Sequence, residues 1–275
     1  MRADLHIHSY YSDGLLSPAD IAQSAAANGV ELIAVTDHDT MLACRETYEC
    51  CKERGVKFVG GIEVSAYSGE TKIHTLGYGL DTECATYKEF AKQLAEGSLR
   101  RAEDTVFKLN RAGVRLSMEE VFSVQVVKNI PVHTMHIARA AAKKGYASSP
   151  FNFYLEYLAS GKPAFSDIAR PSPEYAVEVI KACGGVSSLA HPGRIELDKN
   201  GVESLIKKLA ACGLDGIECV YSTHTAKETA YYKETASELG LLATGGSDTH
   251  YSGGKRKIGT PVFEADRALA EKLRI

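Results

Sequence analysis

Apolar and polar positions along this chain change period repeatedly. Short apolar runs at residues 3–8, 30–36, 57–66, 71–80, 186–190, 216–221 and 241–244 read as strands. Between them lie stretches of helical periodicity. Ser17 followed by Pro18 is a helix start, an N-cap and a first-turn proline, and Gly29 stops the segment 18–28. A second segment opens at Thr40 as its cap and ends at Gly55, and further helices are expected around 173–183, 202–212 and 226–239. The third and fourth runs are joined by a Ser68-Gly69 turn. Strands alternating with helices predict parallel strands with crossover connections, and about seven of them approach the count of a closed barrel.

Between residues 84 and 161 the alternation stops. This stretch is rich in Ala, Leu and charge, and its longest strand-like piece is 124–127. Pro131, Pro150 and Pro163 fall where turns or boundaries belong. The expected organisation is an α/β barrel from 1–83 and 162–275, with a small helical insertion, 84–161.

Composition narrows the function. With 275 residues, 44% of them hydrophobic, the chain can bury a large core. A net charge of −3 leaves no basic stripe for a nucleic-acid backbone, so stable duplex binding is not expected. Cys44, Cys50, Cys51, Cys84, Cys183, Cys212 and Cys219 contain no C-x-x-C pair, and an odd count fits reduced thiols acting as core or surface fillers. The opening MRADLHIHS places an acid and histidines where a secretion leader has an apolar stretch. No run approaches the ~18 apolar residues of a membrane span. A cytoplasmic protein without membrane attachment is expected; oligomeric state is not legible.

The candidate chemistry sits at strand ends. His6 and His8 are two apart, so on a strand both imidazoles share a face while Leu5 and Ile7 pack on the other. Asp13 follows in the Ser12-Asp13-Gly14 turn. Thr36-Asp37-His38-Asp39 is a polar burst directly after Leu32-Ile33-Ala34-Val35, where a barrel strand delivers groups to its C-terminal face. Glu63 is an acid inside an apolar strand, and an unpaired buried carboxylate is expensive, which implies a cationic partner. His74 and His191 interrupt other apolar runs, and Asp248 and His250 end the last strand two apart, behind Gly245-Gly246. Any one of these histidines alone reads as a hydrogen-bonded core residue. Six of nine histidines at the ends of different strands, each beside a carboxylate or a glycine-rich turn, point instead to metal ligation. Nitrogen and carboxylate donors without thiolate suit Zn, Mn or Fe, and nine donors exceed one ion's needs.

These motifs, His6-x-His8-Ser9 with Ser12-Asp13-Gly14, Thr36-Asp37-His38-Asp39, Glu63, His74, Ala190-His191-Pro192-Gly193 and Gly246-Ser247-Asp248-x-His250, resemble the PHP (polymerase and histidinol phosphatase) domain over nearly the whole chain. The resemblance implies a distorted (β/α)7 TIM-like barrel with a trinuclear metal centre that hydrolyses phosphate esters. It is most similar to small bacterial phosphoesterases acting on AMP, nucleoside 3′,5′-bisphosphates and short oligonucleotides. Carried over by motif, His6, His8, Glu63 and Asp248 would hold one ion, Glu63 with His74 and His191 a second, and Asp13, His38 and His250 a third. Asp13, His38, His191 and His250 count as catalytic too.

On that resemblance, two or three divalent ions would share a water, lower its pKa and clamp the phosphoryl oxygens. Asp4, Asp37 and Asp39 are candidates to orient ligand imidazoles. For the substrate phosphate, Arg194 leaves the same strand end as His191. His136 and Arg139 sit on one helical face of the insertion, and Lys162 is a weaker candidate. Lys255, Arg256 and Lys257 read as a solvated loop, and His133 and His224 are given no role. Histidinol phosphate or another small phosphate would use the same ions. A C–N hydrolase would want a carboxylated lysine among the ligands, where none stands. A non-catalytic metal-stabilised module attached to a polymerase would want chain beyond Ile275.

Overall fold

The computed structural model describes residues 1–254 and 256–275. Its strands are β1 (Arg2–Ile7), β2 (Leu32–Val35), β3 (Lys57–Ser68), β4 (Thr71–Tyr78), β5 (Val186–Leu189), β6 (Gly216–Tyr221), β7 (Leu242–Gly246) and a short β8 (Phe263–Glu264). They form one sheet in the order β7-β6-β5-β4-β3-β2-β1-β8. The first seven are the seven expected. Their sheet curls until the segment after β7 meets β1: Asp248 N–H donates to His6 O at 2.8 Å and His8 N–H donates to Thr249 O at 2.9 Å. A side chain at Gly246 would collide with the His6 backbone, so glycine permits that closure. β8 pairs antiparallel with the start of β1.

Most pairings are parallel, but β4 runs antiparallel to both neighbours. The reason is the connection: Ser68 pairs with Thr71, which leaves a two-residue turn with Gly69 at φ +60°. So short a link can join only antiparallel strands.

Helices α1 (Pro18–Ala27), α2 (Cys44–Lys52), α7 (Pro173–Ala182), α8 (Lys199–Ala211), α9 (Ala226–Glu238) and α10 (Arg267–Lys272) accompany the barrel strands. Ser17 caps α1 by accepting Asp20 N–H at 3.0 Å, as its position in the sequence suggests. Thr40 does not cap α2. Its hydroxyl accepts Leu42 N–H at 3.2 Å, and the helix begins only at Cys44. Residues 37–39 are drawn instead along β3, where Glu63 N–H donates to Asp37 O and Asp39 N–H to Glu63 O.

A bulge in β1 corrects the expected facing of its side chains. Asp4 pairs with Ile33 and Ile7 with Val35, so one extra residue lies on β1 between them. Before it, Ala3 and Leu5 point into the barrel with Leu76, Tyr78 and Val220; after it, Ile7 packs outward against Ile21 and Ile33. The phase shift lets Leu5 fill the barrel below while His6 and His8 face the mouth above it.

The stretch 84–161 is helical throughout its regular parts: α3 (Ala85–Arg111), α4 (Met118–Ser123), α5 (Thr134–Lys143) and α6 (Pro150–Phe153), which runs into a turn of wider helix at Tyr154–Leu158. Residues 124–127 form no strand, and Val126 is 64% exposed. A separate core of Val106, Leu109, Val121, Ile137, Ala141 and Phe153 holds these helices together. The 27-residue α3 belongs to both cores, since Tyr87, Phe90 and Leu94 pack on Ile62, Val64 and Ile180 of the barrel. At its root Cys84 Sγ and Cys183 Sγ lie 2.9 Å apart, so these two thiols are neighbours across 99 residues and not independent fillers.

Candidate metal centre

The nine residues expected as ligands converge on one site at the barrel mouth, where the parallel strands end. Glu63 stands at its middle. Its Oε1 lies 2.7 Å from His74 Nδ1, 2.9 Å from His191 Nε2 and 3.3 Å from His6 Nε2; its Oε2 lies 3.0 Å from His38 Nδ1 and 3.2 Å from His8 Nε2. Asp248 Oδ1 approaches His8 Nε2 at 3.2 Å, His250 Nδ1 at 3.4 Å and His6 Nε2 at 3.6 Å. Asp13 Oδ1 lies 3.3 Å from His250 Nε2 and 3.9 Å from His8 Nδ1.

The donor atoms divide into groups whose members all lie within 4.8 Å of one another. One holds His6, His8 and Asp248, another His8, Asp13, His38 and His250, and Glu63 links His6 with His191 and His38 with His74. The third set given by the resemblance, Asp13, His38 and His250, is therefore together and is joined by His8; of the first set His6, His8 and Asp248 group without Glu63, and of the second His74 and His191 meet Glu63 in separate groups.

The electrostatics fit cations. Burial pushes the Glu63 carboxyl up, but His74, His38 and His6 around it prevail and hold it well below the usual carboxylate range. Asp13 and Asp248 are likewise held ionised, against burial, by His250 with His38 and by His6 with His250. Burial alone would lower the His8 pKa, yet hydrogen bonds and charge from Asp248 and Glu63 raise it to about 10. Burial wins at His74, whose pKa drops to about 3.

Several buried polar atoms here make no hydrogen bond, though carboxylates stand close to some of them: His8 Nδ1, Asp13 Oδ1, His38 Nδ1, His74 Nε2 and His191 Nδ1. His6 Nε2 and His8 Nε2 meet at 3.2 Å. Leaving such atoms unpaired is costly. Six imidazoles and three carboxylates without thiolate suit divalent ions with nitrogen and oxygen preference.

The backbone at the site is strained. His191 (φ +28°), Asp39 (φ +56°) and Asp248 (φ +54°) occupy left-handed conformations without being glycine, a cost that clusters at functional sites.

The acids expected to orient imidazoles do something else. Asp4 accepts backbone N–H groups of Ser247 at 2.9 Å, Gly259 at 2.8 Å and His6 at 3.3 Å, tying β1 to the chain after β7. Asp37 takes Ser9 N–H at 2.8 Å and the Ser9 and Ser12 hydroxyls at 2.6 Å, which fixes the loop leading to Asp13. Asp39 accepts Ser65 N–H at 2.8 Å. Among the described residues none of the three hydrogen-bonds an imidazole. Backbone donors near each acid were nearer and needed satisfying.

Glu218 does orient an imidazole, and the sequence reading missed it. Its Oε1 lies 2.9 Å from His6 Nδ1, and its Oε2 accepts His191 N–H at 2.7 Å. The signal was an acid inside the apolar strand Gly216–Tyr221, the same signal that singled out Glu63. Tyr221, also missed, donates to Asp248 Oδ2 at 2.6 Å.

The phosphate-binding candidates separate. Arg194 is at the site, donating to Tyr221 Oη at 2.9 Å and lying 3.6 Å from Asp248, with half its side chain exposed. His136 and Arg139 do reach the mouth, but they hold backbone: His136 Nε2 lies 2.9 Å from Ser12 O, and Arg139 donates to Asp13 O. Lys162 lies exposed in a turn. Arg256 is no solvated loop residue, because its guanidinium donates to Asp248 Oδ2. Lys257 is exposed and Lys255 lies outside the described residues. His133, given no role, caps α5 with its ring 5.8 Å from His38 and its Nε2 buried without a partner. His224 accepts Gly193 N–H at 3.2 Å behind the His191 turn.

A parallel-type barrel with histidines and carboxylates gathered at its mouth defines the class of metal-handling barrels. Within that class the chain belongs to the PHP domain family, whose model matches residues 4–211. It is 33% identical to a 3′,5′-nucleoside bisphosphate phosphatase of Chromobacterium violaceum over 93% of this chain and 90% of that one. It is 31% identical to a 5′-3′ exoribonuclease of Haemophilus influenzae (97% and 96%) and 32% identical to a phosphoribosyl 1,2-cyclic phosphate 1,2-diphosphodiesterase of Eggerthella lenta (91% and 94%). Among solved structures, one described as an amidohydrolase from Chromobacterium violaceum, with bound sulfate and no metal, superposes with a TM-score of 0.88 at 29% identity, covering 100% of this chain and 96% of that one. No described helix is long and apolar enough to cross a membrane.

Proposed function

We propose that this protein is a metal-dependent phosphoesterase that removes phosphate from nucleotides, with AMP, nucleoside 3′,5′-bisphosphates and the 5′ ends of short oligonucleotides as the substrate class. The observation that carries this reading is Glu63 with both carboxylate oxygens ringed by five imidazoles. His6, His8, Glu63 and Asp248 would hold one divalent ion, Glu63, His74 and His191 a second, and Asp13, His38 and His250 a third, with Mn, Zn and Fe as the suited metals. Bound there, such ions supply Lewis-acid charge to phosphoryl oxygens and bring the pKa of a water towards neutrality.

The chain's own groups do the rest. Glu218 fixes the ring of His6 and the backbone turn of His191, so the nitrogens facing Glu63 are already aimed. Tyr221 and Arg256 occupy Asp248 Oδ2, which leaves Oδ1 facing His6 and His8. Arg194 offers its remaining N–H groups to a phosphate, for which a guanidinium fork is well shaped. The insertion covers the mouth: α5 pins the Asp13 loop through His136 and Arg139 and sets His133 against His38, limiting water at the reacting face. A cytoplasmic setting suits the free thiols.

A hydrolysis panel with added Mn²⁺ tests the reading: AMP, adenosine 3′,5′-bisphosphate, a short oligonucleotide and histidinol phosphate, with Asp248→Ala and His191→Ala as controls. Phosphate release from the nucleotides, abolished by either substitution, is expected. Clear preference for histidinol phosphate would overturn the nucleotide assignment, and no metal-dependent release from any of them would overturn the enzyme.

A further inference from the structure

Two thiols far apart in the chain meet at the end of the barrel opposite the metal centre. β4 runs antiparallel to its neighbours, so its last residues and the end of α7, which leads into β5, both lie at that far end. Cys84 immediately precedes α3 and Cys183 immediately follows α7, and their sulfurs are 2.9 Å apart. One short segment sets both: Asp81 N–H donates to Cys183 O at 2.9 Å, and Cys84 N–H donates to Asp81 O at 3.2 Å. Backbone hydrogen bonds therefore bring the two residues together. The helices beyond them keep the contact, since α3 and α7 lie alongside in opposite directions, with Phe90 and Tyr175 meeting edge to face at 5.4 Å between ring centroids.

Among the described residues no other two thiols hydrogen-bond each other; Cys44 and Cys219 turn to the Gly61 and Ile217 carbonyls. A cavity of about 330 Å³ lies beside the pair, with Asp81, Cys84, Cys183 and Arg274 in its wall. Cys84 is half-buried and Cys183 buried, so a reagent entering there reaches Cys84 first. The chemistry differs in the same sense. The Cys183 thiol donates to Cys84 and holds the Cys84 pKa below the ordinary thiol range, and the amide dipoles that open α3 act in the same direction. Burial pushes the Cys183 thiol up to about 11.

We propose that Cys84 and Cys183 form a redox-modification site, at which a low-molecular-weight disulfide such as oxidised glutathione converts the two thiols into an intramolecular disulfide that fastens the root of the insertion to the barrel. The Cys84 thiolate attacks one sulfur of the reagent, forming a mixed disulfide and releasing the first thiol. Cys183 then attacks Cys84 Sγ, its proton passing to the second departing thiolate. Two protein thiols are oxidised and one reagent disulfide is reduced to two thiols. The cross-link joins residues 99 apart and spans the whole insertion, so it restricts the unfolded chain strongly. In a reducing compartment such a bond forms transiently and reports oxidant.

The test incubates the full-length, metal-loaded protein with oxidised glutathione, counts free thiols, maps peptides without reduction and records thermal melting. Wild type should lose two of its seven free thiols, yield a peptide joined through Cys84 and Cys183, and retain no glutathione. Its melting temperature should rise by about 5 °C or more, and dithiothreitol should reverse both changes. Cys84→Ser should show neither cross-link nor shift, and Cys183→Ser should hold one glutathione on Cys84. Metal per chain should stay the same throughout, because the cross-link lies at the other end of the barrel from the ligands. A wild type that keeps all seven thiols, retains glutathione on Cys84 without pairing, or pairs other cysteines would overturn the site, and so would pairing seen only in denaturant.

Discussion

Glu218 grips His6 and His191 at once, its two oxygens 2.9 Å from the His6 ring nitrogen and 2.7 Å from the His191 amide. The pair links β1 to the turn after β5 through one buried side chain, and both ends of the link carry expected ligands. Glu218→Gln should therefore lower metal affinity about 10- to 100-fold with little change in fold, as removal of a ligand's supporting partner does elsewhere. Metal retained after dialysis, together with circular dichroism, checks this. Unaltered metal content would show that His6 is aimed without Glu218.

The clamp of α5 on the Asp13 loop predicts a different phenotype from phosphate binding. Arg139→Ala and His136→Ala release Asp13 and Ser12 carbonyls, so metal per chain should fall, with the loss confined to the Asp13–His38–His250 group. Elemental analysis of the variants decides it. A raised KM with full metal content would instead return both residues to the substrate.

Arg194 has the opposite expectation. Its alanine variant should keep its metal and raise KM for phosphorylated substrates about 10-fold, the scale of a charge-assisted hydrogen bond. Steady-state kinetics beside elemental analysis separates the two effects.

The pH dependence of stability should change sign with metal. In the metal-free protein His8 has a pKa raised to about 10, so its contribution is complete below the unfolded value near 6.5 and is lost as pH rises towards 10. Metal must displace that proton, so binding strengthens over the same rise. The thermal-shift gain on adding Mn²⁺ should thus grow from pH 6 to pH 8.5, while the melting temperature of chelated protein falls from pH 7 to pH 10. A gain that shrinks with rising pH would contradict the proton competition.

Much of this was legible in the chain. Seven strands follow from apolar runs with flanking turns, and His6, His8, Glu63, Asp248 and His250 follow from spacing and polar interruptions at strand ends, whereas Asp13, His38, His74 and His191 gain most from the family resemblance. What stayed hidden depends on geometry that spacing does not encode. The β1 bulge inverts the facing of Leu5 relative to His6, and no local signal marks it. Asp4 and Asp37 sit beside ligands in sequence yet serve backbone donors brought from Ser247, Gly259 and Ser9. Glu218 was readable by the logic applied to Glu63, but no histidine stood near it in sequence. Arg256 resembled a solvated charge run until the closure of β7 on β1 placed Asp248 beneath it.

The proposed function depends on the cluster around Glu63 being a metal centre that carries out phosphoester hydrolysis. Its most direct test is phosphate release from adenosine 3′,5′-bisphosphate by wild type and Glu63→Gln, each with Mn²⁺ and after chelation. Release by wild type should require added metal and fall at least about 10³-fold in Glu63→Gln, the scale of losing metal-ion catalysis. Release that survives chelation, or that is equal in Glu63→Gln, would contradict it.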